Sequence, residues 1–369
     1  MKHLQTNWRA ALAVTTVLAG AALAAPAAAS VTFTTFVSAS AISTVEGQDN
    51  TIGFNYAGNK FVGSVYFGGN NLQLYSTDLT GGNVQKFGSP LPSGGGEVVL
   101  AGALGLGGFS RGNVFASPAN QSIYEYANSG GSPSLFATLP GNAGASRQIL
   151  FDPGSSFGGD MIVTTTSGNI YTVNSGGTVN LLASIGADTE GMDIASSAYG
   201  QYAGDLLVAS EGTGQVHAIS PGGTVTLLNL VNASGAPTTI PLAETLSVVP
   251  TNLGSGNPLE GFYVANYPID IQKAAASDFL AYKGDAIVTS EFGSNSPLWL
   301  LTYNGNTANT FTVSQIGTLP GQSEDGIFVT AQRIHGGVPE PATWALMLVG
   351  FGGLGTMLRR RSRDALAAI

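Results

Sequence analysis

Gly204-Asp205-Leu206-Leu207-Val208-Ala209, followed by Gly214-Gln215-Val216-His217-Ala218-Ile219-Ser220-Pro221-Gly222-Gly223-Thr224-Val225-Thr226-Leu227-Leu228, is a passage that this chain writes more than once. Gly159-Asp160-Met161-Ile162-Val163-Thr164 leads in the same way into Gly168-Asn169-Ile170-Tyr171-Thr172-Val173-Asn174-Ser175-Gly176-Gly177-Thr178-Val179-Asn180-Leu181-Leu182. Gly284-Asp285-Ala286-Ile287-Val288-Thr289 is a third opening, and looser copies begin at Gly63, Gly112 and Gly261. Each turn delivers a short, continuously apolar run, the pattern of a strand buried on both faces. The Gly-Gly pairs permit positive φ and close a hairpin. Val225 and Leu227 then share one face, as Val179 and Leu181 do.

An acidic or polar residue followed by an apolar one stands ahead of most copies: Glu46, Glu97, Glu190, Glu244 and Glu324, with Gln148 in that place in one unit. The units recur at roughly 45–50 residues, each with an opener, a buried strand and a hairpin, which makes a four-stranded blade. One blade cannot bury its faces alone, whereas a closed ring can. The expected fold class is therefore all-β, a β-propeller over residues 30–337. About 290 residues give six blades at this period, with five or seven also compatible. The segment from Glu244 to about Glu324 reads as two irregular blades, residues 323–337 as the end of the last one, and Val31 to Val45 as the source of a ring-closing strand. A pair of β-sandwiches is the alternative architecture.

The Glu-Gly openers, Gly-Asp-Leu-Leu-Val-Ala-Ser and the Gly-Gly-Thr-Val turns resemble the NHL and SMP-30-like propeller repeats. The turn chemistry behind this resemblance is shared by many propellers, so it speaks for fold before function.

Composition narrows the partners. Of 369 residues 43% are apolar and only 9% charged, with 52 glycines, which suits short strands joined by tight turns. Between residues 30 and 338 there are seven basic and twenty acidic side chains, a net of −13. Such a surface has little with which to neutralise phosphates, so nucleic acid is excluded as a partner and cations are favoured. The absence of cysteine removes disulfides, thiol catalysis and thiolate metal sites.

The two ends read as addresses. Residues 1–29 carry Lys2 and Arg9, an apolar run from Ala10 to Ala25, and Ala27-Ala28-Ala29 before Ser30, the three regions of a secretory signal peptide. Residues 338–363 begin Val338-Pro339-Glu340-Pro341-Ala342-Thr343-Trp344-Ala345, continue as an apolar stretch over 342–358, and end in Arg359, Arg360, Arg361 and Arg363. That stretch is at the short end of what crosses a bilayer as a helix, and the arginines after it stay cytoplasmic. Prolines on both sides of Glu340 favour an extended peptide that a protease can read.

Pro339, Glu340, Pro341, Trp344 and Ala345, with the short span and the basic stop, resemble the PEP-CTERM sorting signal in its PEPxxWA variant. The resemblance implies recognition by an exosortase after signal peptidase has acted, with an inner-membrane precursor facing the periplasm. It also implies a mature form at the cell surface or in the extracellular matrix.

Catalytic inventory is sparse. His3 and His335 lie outside the repeats, and His217 falls on a hairpin strand as a half-exposed residue. Gly108-Phe109-Ser110-Arg111-Gly112 matches a nucleophile elbow, but a glycine-rich stretch precedes it and a strand follows, so it reads as a turn. The Gly-Asp pairs at Asp160, Asp205 and Asp285 read as turn chemistry. The openers matter more: blade starts lie near a propeller's channel, so Glu46, Glu97, Glu190, Glu244 and Glu324, with Asp193, are candidate ligands for a hard cation such as Ca²⁺. The SMP-30-like resemblance implies a divalent ion there, with Asp205 or Asn266 as further ligands. The expected function is a non-catalytic surface or matrix protein that binds polysaccharide or another envelope component. The alternative is a divalent-metal-dependent lactonase-like hydrolase.

Overall fold

The computed structural model describes residues 30–67, 72–306 and 308–335. The expected signal peptide, the sorting motif and the expected transmembrane helix at 342–358 lie outside these residues. Among the described residues no helix is long and apolar enough to cross a membrane.

The strands form six sheets, five of four strands and one of five. Blade 1 runs Thr51–Tyr56, Phe61–Val65, Leu74–Thr77, Gln85–Phe87, and blade 2 runs Val99–Gly102, Val114–Ser117, Ser122–Tyr126, Ser134–Thr138. Blade 3 runs Ser146–Phe151, Met161–Thr165, Asn169–Val173, Val179–Ser184, and blade 4 runs Met192–Ile194, Leu206–Ala209, Val216–Ile219, Val225–Leu227. Each is an antiparallel meander whose first strand is innermost. The innermost strands of successive blades touch around a closed circuit, blade 6 returning to blade 1. This is a six-bladed propeller.

The last two blades are interleaved rather than consecutive. After its innermost strand Ala243–Val248, the chain leaves blade 5 to lay the hairpin Gly261–Tyr267 and Asp270–Ala275 in blade 6. It then returns for Ala286–Ser290, Ser296–Tyr303 and Thr310–Leu319 of blade 5, and only afterwards places Gln322–Val329 as the innermost strand of blade 6. Asn229–Val231 adds a parallel edge to blade 5. The outermost strand of blade 6 is Phe33–Val37, from the start of the described chain, paired with Asp270–Ala275. The repeat period hides this exchange because each hairpin keeps its local pattern whichever blade receives it.

Side chains of the inner strands latch neighbouring blades. Asp193 accepts from its own neighbour Ile194 N at 2.8 Å and from Val248 N of blade 5 at 2.7 Å. Asp325 repeats the device, accepting from Gly326 N at 2.8 Å and from Phe54 N of blade 1 at 3.0 Å. Gln148 accepts from Met192 N, and Asn55 from Gly102 N, completing two further joints. Hydroxyls of the second strands add a parallel set: Ser64 donates to Val98 O, and Ser117 bonds Ser146. A buried N–H left unpaired costs about 1–3 kcal/mol, so each latch also fixes the angle between sheets.

Apolar cores lie between adjacent sheets. Phe109, Phe115, Phe136 and Phe151 pack between blades 2 and 3, four of their five ring pairs edge to face and one tilted, with centroids from 4.9 to 5.9 Å apart. Phe36 of the outermost strand of blade 6 lies 5.3 Å from Phe61 and 4.7 Å from Tyr263, joining blade 6 to blade 1. The connections before Gly204-Asp205 and Gly284-Asp285 are 3-10 turns, Ser197–Tyr202 and Ala276–Tyr282. Tyr199 in the first donates to Leu301 O and accepts from Ala286 N, both at 2.7 Å, which pins blade 4 to blade 5. The hairpin turns need glycine at Gly177 and Gly223, whose φ values are 77° and 83°. The faces behind these turns point outward: Leu181 and Leu227 are exposed on the outermost strands.

Candidate functional site

All six innermost strands begin at the same end of the channel, so residues at their starts converge there. Arg147, second residue of its strand, is the hub. Its Nη1 lies 2.6 Å from Glu97 Oε2, its Nη2 3.0 Å from Asp188 Oδ2, and its Nε 2.8 Å from Glu190 Oε1. The last contact is close but misaligned, leaving Arg147 Nε and Glu190 Oε1 without a hydrogen bond. Glu190 is buried, and Gly191 after it lets the chain press against blade 5: a Cβ there would lie 2.0 Å from Leu246 N. Gly191 N donates to Glu244 O at 2.7 Å.

Further carboxylates crowd the same mouth. Glu244 is 8% exposed, and among the described residues nothing donates a hydrogen bond to its carboxylate. Glu324 accepts from Gln322 Nε2 at 2.7 Å, and Gln322 also bonds Glu291. Asp188, Glu190 and Glu211 each bring an oxygen within 4.8 Å of the others. Between Arg147, Glu190, Glu244, Glu324 and Asp325 the channel narrows to a cavity of about 20 Å³, room for one ion or water.

One guanidinium cannot neutralise so many acids. Burial works against the charge on Arg147, but Glu190, Asp188 and Glu97 outweigh it and raise its pKa. Burial raises Glu190 and Glu244 well above the carboxylate range, and neighbouring acids add to this, while Arg147 opposes it. Burial, then the charges of Glu291 and Glu97, pushes Glu324 up to about 8. Burial and a shared hydrogen bond with Glu211 push Glu291 up to about 7. Such a mouth holds protons near neutral pH, or gives them up to a hard cation that supplies the missing positive charge.

Of the candidate ligands, Glu97, Glu190, Glu244 and Glu324 gather here. Glu46 does not. It is the buried last residue of helix α1 (Ala39–Glu46), which is capped by Ser38 and by Gly47 at φ 76° and packs against the outer strands of blade 1 and against Asp270–Ala275 of blade 6. Burial pushes its pKa up to about 7. The strand start in blade 1 is Thr51, so the inserted helix displaced the expected register. Asp193 is committed to its latch and lines the opposite half of the channel. Asp205 follows the turn at Gly204, its N–H donating to Tyr202 O. Asn266 bonds Asp270 Oδ1 and Gly321 N within its own blade. His217 is buried at 8% exposure rather than half-exposed, because Val208 and Leu227 flank it across the sheet, and burial lowers its pKa. Gly108-Phe109-Ser110-Arg111-Gly112 is a turn leading into Val114–Ser117. Arg147, Asp188, Glu211 and Glu291 were not singled out from sequence. Arg147 alone offered a signal, as one of few cations, immediately before the opener-like Gln148.

The other end of the channel opens into a cavity of about 510 Å³. Helix α2 (Ala331–His335) sits at its rim, held by Ala331 N donating to Glu260 Oε1 at 3.0 Å and by Asn252 Nδ2 donating to Gln332 Oε1 at 2.6 Å.

Residues 337–361 match the PEP-CTERM protein-sorting motif. No curated protein matches the chain. Among solved structures, the nidogen/laminin complex aligns at 11% identity and a TM-score of 0.47, covering 75% of this chain and 84% of that one. Virginiamycin B lyase from Staphylococcus aureus aligns at 14% and 0.44, covering 77% and 87%. A candidate gluconolactonase aligns at 10% and 0.49, covering 82% and 86%. At such distances none speaks to activity, and the six-bladed architecture rests on the strand order itself.

Proposed function

Since the chain carries the PEP-CTERM protein-sorting motif, we propose that it is an exported propeller, handed to an exosortase and displayed at the cell surface or in the extracellular matrix as a non-catalytic binder of polysaccharide. The carrying observation is adjacency. The final inner strand ends at Val329, helix α2 ends at His335, and the matched motif starts at residue 337, so a single residue of sequence separates the last helix of the ring from the motif. Mass determination of the protein recovered from the cell exterior tests this: loss of both residues 1–29 and the hydrophobic tail is expected, and an intact chain retained in the cytosol overturns it.

A second reading, a divalent-metal-dependent hydrolase of lactones or sugar derivatives, is favoured by the convergence of Asp188, Glu190 and Glu211 beside the narrow cavity. These oxygens suit a hard cation such as Ca²⁺, whose chemistry would be polarisation of a substrate oxygen. Elemental analysis of the purified protein, together with lactone hydrolysis, separates the readings. A tightly held ion with turnover supports the hydrolase; turnover absent with or without added Ca²⁺ removes it.

A further inference from the structure

The described ring holds three arginines, and they live in opposite surroundings. Arg147 is tied to three carboxylates, whereas Arg111 and Arg333 line the wide cavity with no carboxylate within ion-pair distance among the described residues. Arg333 spends one donor on Phe328 O at 3.4 Å; Arg111 donates to Leu104 O at 3.4 Å and to Arg333 O. A guanidinium has five N–H donors, so most of both forks remain unspent. Burial pulls the Arg333 pKa down, Asp193 and Tyr56 hold it up, and Arg111 pushes it down again.

We propose that this cavity is a binding site for a small monoanionic, hydroxyl-bearing carboxylate, a uronate residue of an acidic saccharide, with Arg111 and Arg333 holding the carboxylate. Charge count selects a monoanion: two guanidiniums beside the Asp193 carboxylate leave one positive charge to match. Paired N–H donors in a plane fit carboxylate oxygens. Asn55, Asn252 and Gln332 also line the space, and among the described residues each uses only one end of its amide, in the bonds Asn55–Gly102 and Asn252–Gln332. Leu150, Met192, Pro250 and Ile327 give apolar wall for the ring's C–H face. The volume, about 510 Å³, falls within the range of roughly 300–1,000 Å³ typical of small-ligand pockets. The site lies at the far end of the channel from the carboxylate mouth, and it deepens the polysaccharide-binding reading by naming the recognised group.

Calorimetry on the full chain in detergent, with tri-galacturonate and its fully methyl-esterified form as probes, tests the assignment. The acid is expected to bind at least about tenfold tighter than the ester. Arg333→Gln and the exposed Arg111→Gln are each expected to lose that preference, and Lys86→Gln, a distant exposed cation, to keep it. Equal binding of acid and ester, or preference retained in both arginine variants, overturns the site while leaving polysaccharide binding intact. Absence of binding by either probe at about 1 mM overturns the site outright. Thermal unfolding of each variant shows that it is folded, and Arg111→Gln carries the test if Arg333→Gln is not.

Discussion

The carboxylate of Asp193 accepts the backbone N–H of Val248 at 2.7 Å, binding the innermost strand of blade 4 to that of blade 5. Its second oxygen takes the N–H of Ile194. Asp193→Ala strands two inner N–H groups and is expected to lower stability by about 1–3 kcal/mol, with Asp193→Asn costing less because an amide oxygen still accepts. Urea unfolding measures both, and an alanine variant as stable as the parent would show that the latch contributes nothing.

Acidity should stabilise this protein. Glu46, Asp325 and Glu291 are raised to about 7, Glu324 to about 8 and Asp193 to about 6, chiefly by burial. The unfolded chain titrates these groups near 4. The folded state therefore holds more protons between about pH 4 and 8, and stability falls as pH rises through that window. The melting temperature should climb as pH drops from 8 to 5.5; a flat or opposite profile contradicts the assigned burial.

Calcium should oppose that loss if the mouth takes a cation. At pH 8, excess Ca²⁺ is expected to raise the melting temperature and EDTA to reverse it, with about 2.7 kcal/mol gained at a hundredfold excess over Kd. Glu190→Gln should blunt the response. A melting temperature indifferent to Ca²⁺ at both pH 5.5 and pH 8 removes the cation.

Arg147→Gln leaves Glu190 and its acidic neighbours without their counter-charge. Removing one partner of a buried pair costs about 3–5 kcal/mol, and partial exposure of this cluster places the expected loss near the lower figure. Adding Glu190→Gln should recover part of it, and a double-mutant cycle reads the coupling. Strictly additive losses would mean that the two residues act independently.

Much of the ring was legible because a blade is a local object. Gly204-Asp205 and Gly222-Gly223 announce a buried strand and a hairpin within a few residues of themselves. The exchange of hairpins between blades 5 and 6 was not legible, since nothing local distinguishes Gly261–Tyr267 returning to its own sheet from joining the next. Glu97, Glu190, Glu244 and Glu324 gather because they share one position in the repeat, and Glu46 stands apart because α1 interrupts that repeat. Asp188, Glu211 and Glu291 sit in connections whose length varies, so only three dimensions bring them to Arg147.

Phe36 tests the closure of the ring. Its ring meets Phe54, Phe61 and Tyr263, so Phe36→Ala should cost about 3 kcal/mol even though the side chain is half-buried. Limited proteolysis should then cut near residues 30–37 before any other site. Cleavage elsewhere first would place the weak seam outside blade 6.

Phe33 must wait for Ala274, and the hairpin it joins must wait for Gln322–Val329, before the sixth sheet exists. A chain emerging from its amino end therefore stays unsealed until nearly the last of the ring has been delivered. The sorting motif at residue 337 follows by only a few positions, so completion of the circle and arrival of the tail are almost simultaneous. A chain broken off early would carry neither a shut ring nor a shipping label.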